Sequence, residues 1–300
     1  MTVALIDGDI IAYRAAFIAS DTYEDTTIYD PFVVDQTVTH LVDQWTKKAK
    51  AGVNIVCLSD PTHRYFRHTI YPEYKANRQG KERPAALGLA YESLKAHYKC
   101  EWREGLEADD VIGILAGDER LTDPVMVSID KDLMTVPGKL LNPDKMNRAM
   151  RIRKPAADRF IFKQALMGDR TDNYPGVEGI GEVKATRIVE SHPRLSHVWE
   201  AVVEAFSGDY KRALTMTRLA RILRHEDYDS HKGRVRLWDQ KNGVWQNAKP
   251  MKLKGEKKTM TAKKSSTKQK KRSAKTGTKA MANRKKTQKG SPKGGRKYSG

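Results

Sequence analysis

Three short apolar segments that each end at an aspartate constrain the fold of this chain more than any other feature. They read VALI (3–6), NIVCLS (54–59) and PVMVSI (124–129), and the residues that follow them are Asp7, Asp60 and Asp130. Longer segments at 9–19, 36–50, 84–98 and 108–117 have helical composition and a rough 3.6-residue apolar period. Alternating strands and helices predict an α/β domain with a mostly parallel central sheet flanked by helices.

Acidic residues are concentrated where these strands should end. Besides the three strand-end aspartates, the acids are Asp9, Glu107, Asp109, Asp110 and Asp132. Aspartate is ordinary in turns, and acids in a first helical turn complement the helix dipole. Parallel strands, however, bring their carboxyl ends to one edge of a sheet, where so many carboxylates repel one another unless a cation compensates. All-oxygen ligands favour a hard divalent ion, Mg²⁺ or Mn²⁺.

A basic and aromatic segment, RYFRHTIYPEYKANRQGKERP (64–84), follows Asp60 and should face the same edge. A solvated basic loop is the simpler interpretation of the segment taken alone. Basic side chains interleaved with aromatic rings also suit a phosphodiester backbone with stackable bases. The candidate nucleic-acid contacts in this segment are Arg67, Tyr74, Lys75, Arg78, Lys81 and Arg83.

The chain changes character after about residue 150. From Pro155 onward we expect helices in place of strands, at 155–168, 182–192, 195–206 and 210–225, with a possible closing strand RVRLW at 234–238. The predicted organisation is therefore an α/β domain at 1–150, a helical region at 151–248 and a Lys-rich tail at 249–300.

The tail holds nearly all the excess charge. It carries 20 of the 56 Lys and Arg residues but one of the 37 acids, so the residues before it are electrically balanced. The tail has few apolar residues, and this composition predicts that it is disordered. A solvating segment and a nuclear localisation signal are alternatives, but we favour non-specific attachment to a polyanion such as nucleic acid.

Other features exclude some classes of protein. No run of 18 apolar residues is present, so the sequence predicts no membrane span, and the N-terminus does not resemble a secretory signal. Cys57 and Cys100 have no metal-ligand or CxxC spacing and should be free thiols. We therefore expect a cytoplasmic protein.

Six features occur in order within residues 3–238: LIDGD, the strand-end Asp60, YPEYKANR, LEADDVIG, SIDKDL and GDRTDNYPGVEGIG. Together they resemble the 5′-nuclease (flap endonuclease-like) superfamily, especially phage-encoded 5′→3′ exonucleases, and a phage-encoded chain would act in the host cytoplasm. The resemblance implies a PIN-like fold and a nuclease that uses two Mg²⁺ ions, for which Mn²⁺ can substitute. It also implies that DNA with a 5′ end, nick or flap, or an RNA–DNA hybrid, is the substrate.

The resemblance also implies roles for individual residues. The first-metal cluster matches Asp7, Asp60, Glu107, Asp109 and Asp110, the shared acids match Asp130 and Asp132, and the second cluster matches Asp169 and Asp172. Lys75 and Arg78 match the basic pair that contacts the scissile phosphate, with Tyr74 beside them as a base-stacking residue. Asp9 lies where the family varies and is set apart from the other ligands.

The segment GDRTDNYPGVEGIGEVKA (168–185) divides at Pro175. Its acids precede the proline, and its glycines, Gly176, Gly179 and Gly181, follow with Lys184. A plain turn between helices is one interpretation. The other is a helix-hairpin-helix-type motif at 168–191 whose backbone N–H groups approach a DNA phosphate. The family resemblance adds K⁺ held by the hairpin carbonyls.

The sequence thus predicts a 5′→3′ exonuclease or structure-specific 5′ (flap) nuclease that leaves 5′-phosphorylated products. Such an enzyme would serve phage DNA replication, primer removal, recombination or host DNA degradation. An RNase H-like or PIN-type RNase on the same fold is an alternative, because metals at a phosphodiester need not read the sugar. A non-enzymatic DNA-binding protein is the other, although it has no use for the converging carboxylates.

Overall fold

The strands of the computed structural model alternate with helices through the first half of the chain, and residues 1–23, 26–239 and 246–247 are described. In chain order the strands are β1 (Val3–Asp7), β2 (Ser20–Tyr23), β3 (Thr26–Tyr29), β4 (Val53–Cys57), β5 (Cys100–Glu101), β6 (Pro124–Val127), β7 (Gly138–Leu141), β8 (Met150–Ile152), β9 (Gly168–Asp169), β10 (Tyr174–Pro175), β11 (Tyr228–Asp229), β12 (Arg234–Leu237) and β13 (Gln246–Asn247). The predicted disordered tail at 249–300 lies outside the described residues.

The helices lie between and after these strands. They are α1 (Gly8–Ile18), α2 (Pro31–Lys48), α3 (Arg67–Ile70), α4 (Leu87–His97), α5 (Ala108–Ala116), α6 (Lys154–Met167), α7 (Glu182–Glu190), α8 (Leu195–Ala205) and α9 (Tyr210–Ala220). Short 3₁₀ turns occur at Ala76–Arg78, Lys131–Thr135 and His225–Asp227. None of the described helices is long and apolar enough to cross a bilayer.

The central sheet confirms the predicted mostly parallel α/β architecture. Its strand order is β5-β4-β1-β6-β7-β8, and only the edge strand β8 pairs antiparallel among these six. Strand β1 is buried along its whole length because both faces are covered. Ala4 and Ile6 pack with α1, α2 and α4, whereas Val3 and Leu5 pack with α5. The sheet therefore brings the ends of β1, β4 and β6 together.

Local patterns located the long elements but missed the short ones. The three predicted strands and the first four predicted helices are present with ends shifted by a few residues, except that α2 begins five residues early at Pro31. The sequence does not predict the β2–β3 hairpin, β5, β7 and β8, because each of these strands has two to four residues with at most two consecutive apolar ones. Periodicity cannot identify so short a strand.

The prediction that strands stop after Pro155 is wrong in detail. β9 and β10 form a small antiparallel hairpin, and the predicted strand at 234–238 is β12, which pairs with β11 outside the central sheet. The last predicted helix ends at Ala220, because Ile222 and Leu223 leave it to pack beside α5. Helices α6 to α9 share a core that also includes Tyr65 and Tyr74 of the basic segment. The division at 150/151 and the helix-hairpin-helix-type motif stay predictions.

Replacing Gly113 with alanine should test the packing that fixes α5. A Cβ at Gly113 would stand 2.2 Å from the carbonyl oxygen of Leu223, a backbone atom that cannot rotate away. We expect Gly113→Ala to lower the free energy of unfolding by about 1–3 kcal/mol. Gly88→Ala on α4, where a Cβ meets nothing within 4 Å, is the matched control and should be neutral or stabilising. Urea denaturation of both variants measures the difference, and equal stabilities would contradict this packing.

Candidate active site

Two adjacent strands hold the first carboxylates side by side. Asp7 ends β1 and caps α1 by accepting a 3.2 Å hydrogen bond from the Ile10 N–H. The buried Ser128 hydroxyl donates to Asp7 Oδ2 at 2.7 Å and accepts from the Asp130 N–H at 3.0 Å. The Asp132 N–H donates to Asp130 Oδ1 at 2.8 Å. Ser128 therefore links the ends of β1 and β6.

Mutual electrostatic effects show that these acids share one region. Burial raises the pKa of Asp7 to about 7, and the charges of Asp9 and Asp130 add to the increase. Burial also raises the pKa of Asp109 well above its ordinary value, with Asp7 and Asp130 contributing. Asp7 and Asp109 come from β1 and α5, which the sequence separates by about a hundred residues, and the sheet edge has brought them together.

The loop after β6 is likewise close to the loop after α6. Burial raises the pKa of Asp132 to about 7, and Asp130 and Asp169 are the largest charges that add to the rise. Burial also raises the pKa of Asp172, although Lys75 opposes it. Asp169 Oδ1 accepts hydrogen bonds from the Thr171 and Asp172 N–H groups. The Asp169–Asp172 pair therefore lies beside Asp132.

The donor chemistry of this cluster suits a hard divalent cation. Asp109 Oδ1 is a buried oxygen without a hydrogen-bond partner in the described part of the chain, and all the clustered donors are carboxylate oxygens. Within residues 1–23, 26–239 and 246–247, no three His, Cys, Asp or Glu side chains are already arranged to hold a metal ion. The acids converge, but they do not form a closed ligand set.

Cations from the basic segment occupy part of the cluster. The Lys75 ammonium pairs with Glu107 and lies 3.4 Å from Asp172 Oδ1, and Arg78 donates to that same oxygen at 2.7 Å. Burial would raise the pKa of Glu107, but Lys75 and Arg67 outweigh it and lower the pKa to about 2. The predicted catalytic cations therefore touch the predicted metal ligands directly.

Backbone contacts fasten Lys75 in this position. Its N–H donates to the Asp172 carbonyl at 2.8 Å, and its φ of 55° is in the left-handed region. Asn77 donates to the Arg170 carbonyl at 2.8 Å, and Asn173 donates to the Glu73 carbonyl at 2.7 Å. The basic segment and the loop after α6 therefore form one unit.

Two residues predicted to contact DNA are buried. Arg67 is only 3% exposed and forms a two-bond pair with Asp110, at 2.6 and 2.8 Å, besides a 2.8 Å bond to Glu107. It also donates to the carbonyls of Leu219 and Arg221. Tyr74 is also 3% exposed, and its hydroxyl, with a single proton to donate, lies 2.9 Å from Glu107 Oε2 and 2.8 Å from Asp172 Oδ2. Neither side chain is available for DNA, and both instead support the acids.

Three of the predicted metal-binding candidates accept hydrogen bonds that hold neighbouring loops and helices together. Asp60 accepts hydrogen bonds from the Thr62 N–H at 2.8 Å and the Gly105 N–H at 2.6 Å. Asp110 accepts from Arg67 and from the Leu223 N–H at 3.0 Å. Asp9 accepts from the Ser59 N–H and the Tyr91 hydroxyl, both at 3.2 Å. These acids join the loops around the cluster.

The remaining predicted DNA contacts are exposed. Lys81, Arg83 and Lys184 lie on the surface, and Lys184 donates to the Gly179 carbonyl at 2.9 Å. Gly179 has a φ of 72°, and an added Cβ at Gly179 or Gly181 would meet open space. Gly176 differs, because a Cβ there would stand 2.2 Å from the Leu166 carbonyl. Close packing against α6 therefore explains why residue 176 is a glycine.

The sequence interpretation missed several polar residues of the cluster. Gln164 of α6 donates to Asp132, Ser128 bridges Asp7 and Asp130, and Tyr91 of α4 reaches Asp9. Ser128 stands two residues before Asp130, so the strand-end position could have identified it. Gln164 and Tyr91 lie in ordinary amphipathic helices and carry no comparable signal.

Comparisons with known proteins show what this chain is similar to. The family model described as 5′-3′ exonuclease, N-terminal resolvase-like domain, matches residues 2–156. The 5′-3′ exonuclease of Buchnera aphidicola subsp. Acyrthosiphon pisum is 27% identical over 249 residues, which cover 73% of this chain and 86% of that protein. DNA polymerase I of Bacillus caldotenax is also 27% identical, and the match covers 74% of this chain but 27% of the polymerase. The chain thus spans about a quarter of that polymerase.

Solved structures share the fold. A bacteriophage T5 flap endonuclease in a complex with DNA and metal ions has a TM-score of 0.58 at 19% identity, with 74% of this chain and 89% of that chain covered. A T5 5′-exonuclease with bound zinc has a TM-score of 0.57 at 22% identity, covering 73% and 89%. The family model spans β1, β4, α5 and β6, whose ends supply the first carboxylates of the site. On this match, the chain belongs to the family of 5′-3′ exonucleases with an N-terminal resolvase-like domain.

Proposed function

We propose that this protein is a metal-dependent 5′→3′ exonuclease and structure-specific 5′ nuclease that hydrolyses DNA phosphodiester bonds to 5′-phosphorylated products. The observation that carries the proposal is the meeting of buried carboxylates with Lys75 and Arg78 at one edge of the sheet. A non-enzymatic DNA-binding protein would have no reason to bury acids that repel both one another and DNA. Family membership and the relatives named 5′-3′ exonuclease support the same reaction.

The cluster divides into ligands and supports. Asp60 already accepts hydrogen bonds from two backbone N–H groups, and Asp110 accepts them from Arg67 and the Leu223 N–H. We therefore propose that these two acids support the site and do not bind the metal. The side chains that would hold two Mg²⁺ ions, with Mn²⁺ as a substitute, are Asp7, Glu107, Asp109, Asp130, Asp132, Asp169 and Asp172. Bound there, the ions would lower the pKa of an attacking water and stabilise the leaving 3′ oxygen.

The chain's own cations complete the reaction site. Lys75 and Arg78 would bind the non-bridging oxygens of the scissile phosphate and neutralise the charge that grows on them. The ion pairs with Glu107 and Asp172 hold the Lys75 ammonium in place before substrate arrives, which lowers the cost of ordering it. Tyr74 and Arg67 would orient Glu107 through their hydrogen bonds.

The glycine hairpin would bind duplex backbone away from the cleaved bond. Gly179 and Gly181 leave open space in front of the backbone at the start of α7, a nine-residue helix. N–H groups at a helix N-terminus suit a phosphate, and Lys184 adds a positive charge there. K⁺ held by the hairpin carbonyls would strengthen the contact.

Digestion of labelled duplexes tests the proposed reaction. A duplex with a 5′ flap, labelled at either the 5′ or the 3′ end, is incubated with Mg²⁺ or with EDTA. We expect metal-dependent release of 5′-phosphorylated products from the 5′ end. No cleavage in any divalent ion would refute the proposal, and faster cleavage of a matched RNA–DNA hybrid would reassign the substrate.

Stability should depend on pH and metal together. The folded-state pKa values of Asp7 and Asp132 are raised to about 7, so these groups stabilise the fold below about pH 4 and lose that contribution as pH rises to about 7. A divalent ion offsets the ionised charges, so we expect Mg²⁺ to raise the melting temperature more at pH 8 than at pH 5.5, relative to EDTA. Differential scanning calorimetry measures the melting temperature with Mg²⁺ and with EDTA at each pH. An equal Mg²⁺ effect at the two pH values would contradict the assignment of Asp7 and Asp132 as metal ligands.

Removal of residues 249–300 should weaken the salt dependence of DNA binding. The segment carries 20 Lys and Arg residues, and each cation that contacts phosphate steepens the slope of log Kd against log salt by about one. We expect a flatter slope with cleavage chemistry retained at low salt. Fluorescence anisotropy from about 50 to 200 mM salt measures the slope. An unchanged slope would mean that the tail does not contact DNA phosphates.

A further inference from the structure

His63 connects an exposed arginine to the turn that follows β4. Its Nε2 lies 2.7 Å from Arg83 Nη1, and its Nδ1 lies 3.0 Å from the Tyr65 hydroxyl. Because arginine can only donate, Nε2 must accept the bond, and the imidazole is therefore neutral with its proton on Nδ1. That proton points to the Tyr65 oxygen. The ring thus acts as a rigid connection between a surface cation and a buried tyrosine.

The connection continues to the carboxylate cluster. Tyr65 is 8% exposed, and its hydroxyl interacts with the Ser59 side chain. Ser59 donates its N–H to Asp9 and accepts from the Ala108 N–H at 2.9 Å, in the first turn of α5. Asp9 and Asp60 are both close enough to act electrostatically on the His63 imidazole. Arg83 is thereby tied to the edge of the sheet where the acids meet.

The backbone of His63 is unusual for a residue with a side chain. Its φ is 53°, in the left-handed region, which glycine adopts freely and few other residues adopt. Strained residues persist when the surroundings hold them, and they cluster at functional sites. A histidine at this position costs stability that its side-chain contacts must offset. The main visible contacts of that side chain are Arg83 and Tyr65.

We propose that His63 is a positioning residue that holds the Arg83 guanidinium beside the carboxylate cluster, where it binds a phosphate of the nucleic-acid strand being cleaved. This rests on the proposed nuclease function and adds a determinant of substrate position to it. Without the imidazole, Arg83 would be an exposed side chain that must lose rotamer freedom each time it meets a phosphate. With it, the guanidinium is ordered in advance and keeps its other N–H groups for the ligand.

A double-mutant cycle tests the proposal in the full chain. Binding of a 5′-flap DNA duplex is measured in EDTA by anisotropy for the wild type, His63→Gly, Arg83→Ala and the double variant. We expect each single variant to weaken binding about tenfold and the double variant to be no weaker than Arg83→Ala. With Mg²⁺, KM should rise in His63→Gly while kcat at saturating DNA stays near the wild-type value.

Stability separates positioning from a purely structural role. Glycine adopts a φ of 53° readily, so relief of the backbone strain should offset the lost side-chain contacts, and His63→Gly should melt close to the wild-type temperature while it binds DNA less tightly. Ser207→Gly is the matched control, since Ser207 is exposed, uncharged and has a φ of 57°. It should leave binding unchanged. Effects that multiply to about a hundredfold, or wild-type binding by His63→Gly, would overturn the proposal. Absence of flap cleavage by the wild type would instead overturn the nuclease function itself.

Discussion

Replacing Asp130 and Asp132 together by asparagine should lower the cleavage rate by at least about a thousandfold and leave DNA affinity nearly unchanged. Both acids lie on the loop after β6, between the Asp7–Asp109 group and the Asp169–Asp172 pair. Asparagine keeps the size of each side chain but removes the charge that would hold a divalent ion. The Asp132 N–H bond to residue 130 can persist, because an amide oxygen also accepts. The loop should therefore keep its shape.

Single-turnover digestion of a flap duplex measures the cleavage rate, and fluorescence anisotropy with the same duplex measures the DNA affinity. Asp123→Asn is the matched control, because Asp123 is an exposed acid just before β6 that pairs with Lys139. It should cleave at the wild-type rate. Wild-type turnover by the Asp130→Asn/Asp132→Asn variant would refute the metal assignment. A loss of DNA binding as large as the loss of cleavage would make the two acids structural.

The gathering of the acids could be predicted from the sequence because it depends on topology. An aspartate at the end of each parallel strand must lie at the same edge of the sheet, whichever side chains surround it. Asp7 and Asp130 meet for this reason, and β1 and β6 are direct neighbours. The helical boundaries of α1, α4 and α5 followed similarly from local periodicity.

The use of each basic residue could not be predicted, because burial is decided by contacts distant in sequence. Arg67 and Arg83 occur in the same segment and have the same chemistry. Arg67 is buried because Asp110 and the end of α9, some 40 and 150 residues away, supply its partners. Arg83 remains on the surface and contacts His63. Composition describes both as candidates for DNA, and only the fold separates them.

Replacing Lys75 by alanine should reduce the single-turnover cleavage rate by about a hundredfold to a thousandfold, with a much smaller effect on binding. Lys75 is held between Glu107 and Asp172 by its ion pairs and by its backbone N–H. An ammonium at this place is close to where charge would develop on the phosphate, so its contribution is greatest in the transition state. Glu107 keeps Arg67 and Tyr74 as partners in the variant, so the fold should persist.

Lys81→Ala is the matched control for the effect of Lys75→Ala on the cleavage rate. Lys81 belongs to the same basic segment and is exposed, with no side-chain ion pair among the described residues. Its loss should weaken binding modestly and flatten the salt dependence while the single-turnover rate at saturating enzyme stays unchanged. If Lys75→Ala behaved in the same way as Lys81→Ala, Lys75 would be a residue that positions DNA. A large rate defect confined to Lys75→Ala would mean that the ion pairs with Glu107 and Asp172 hold a catalytic cation ready for the phosphate.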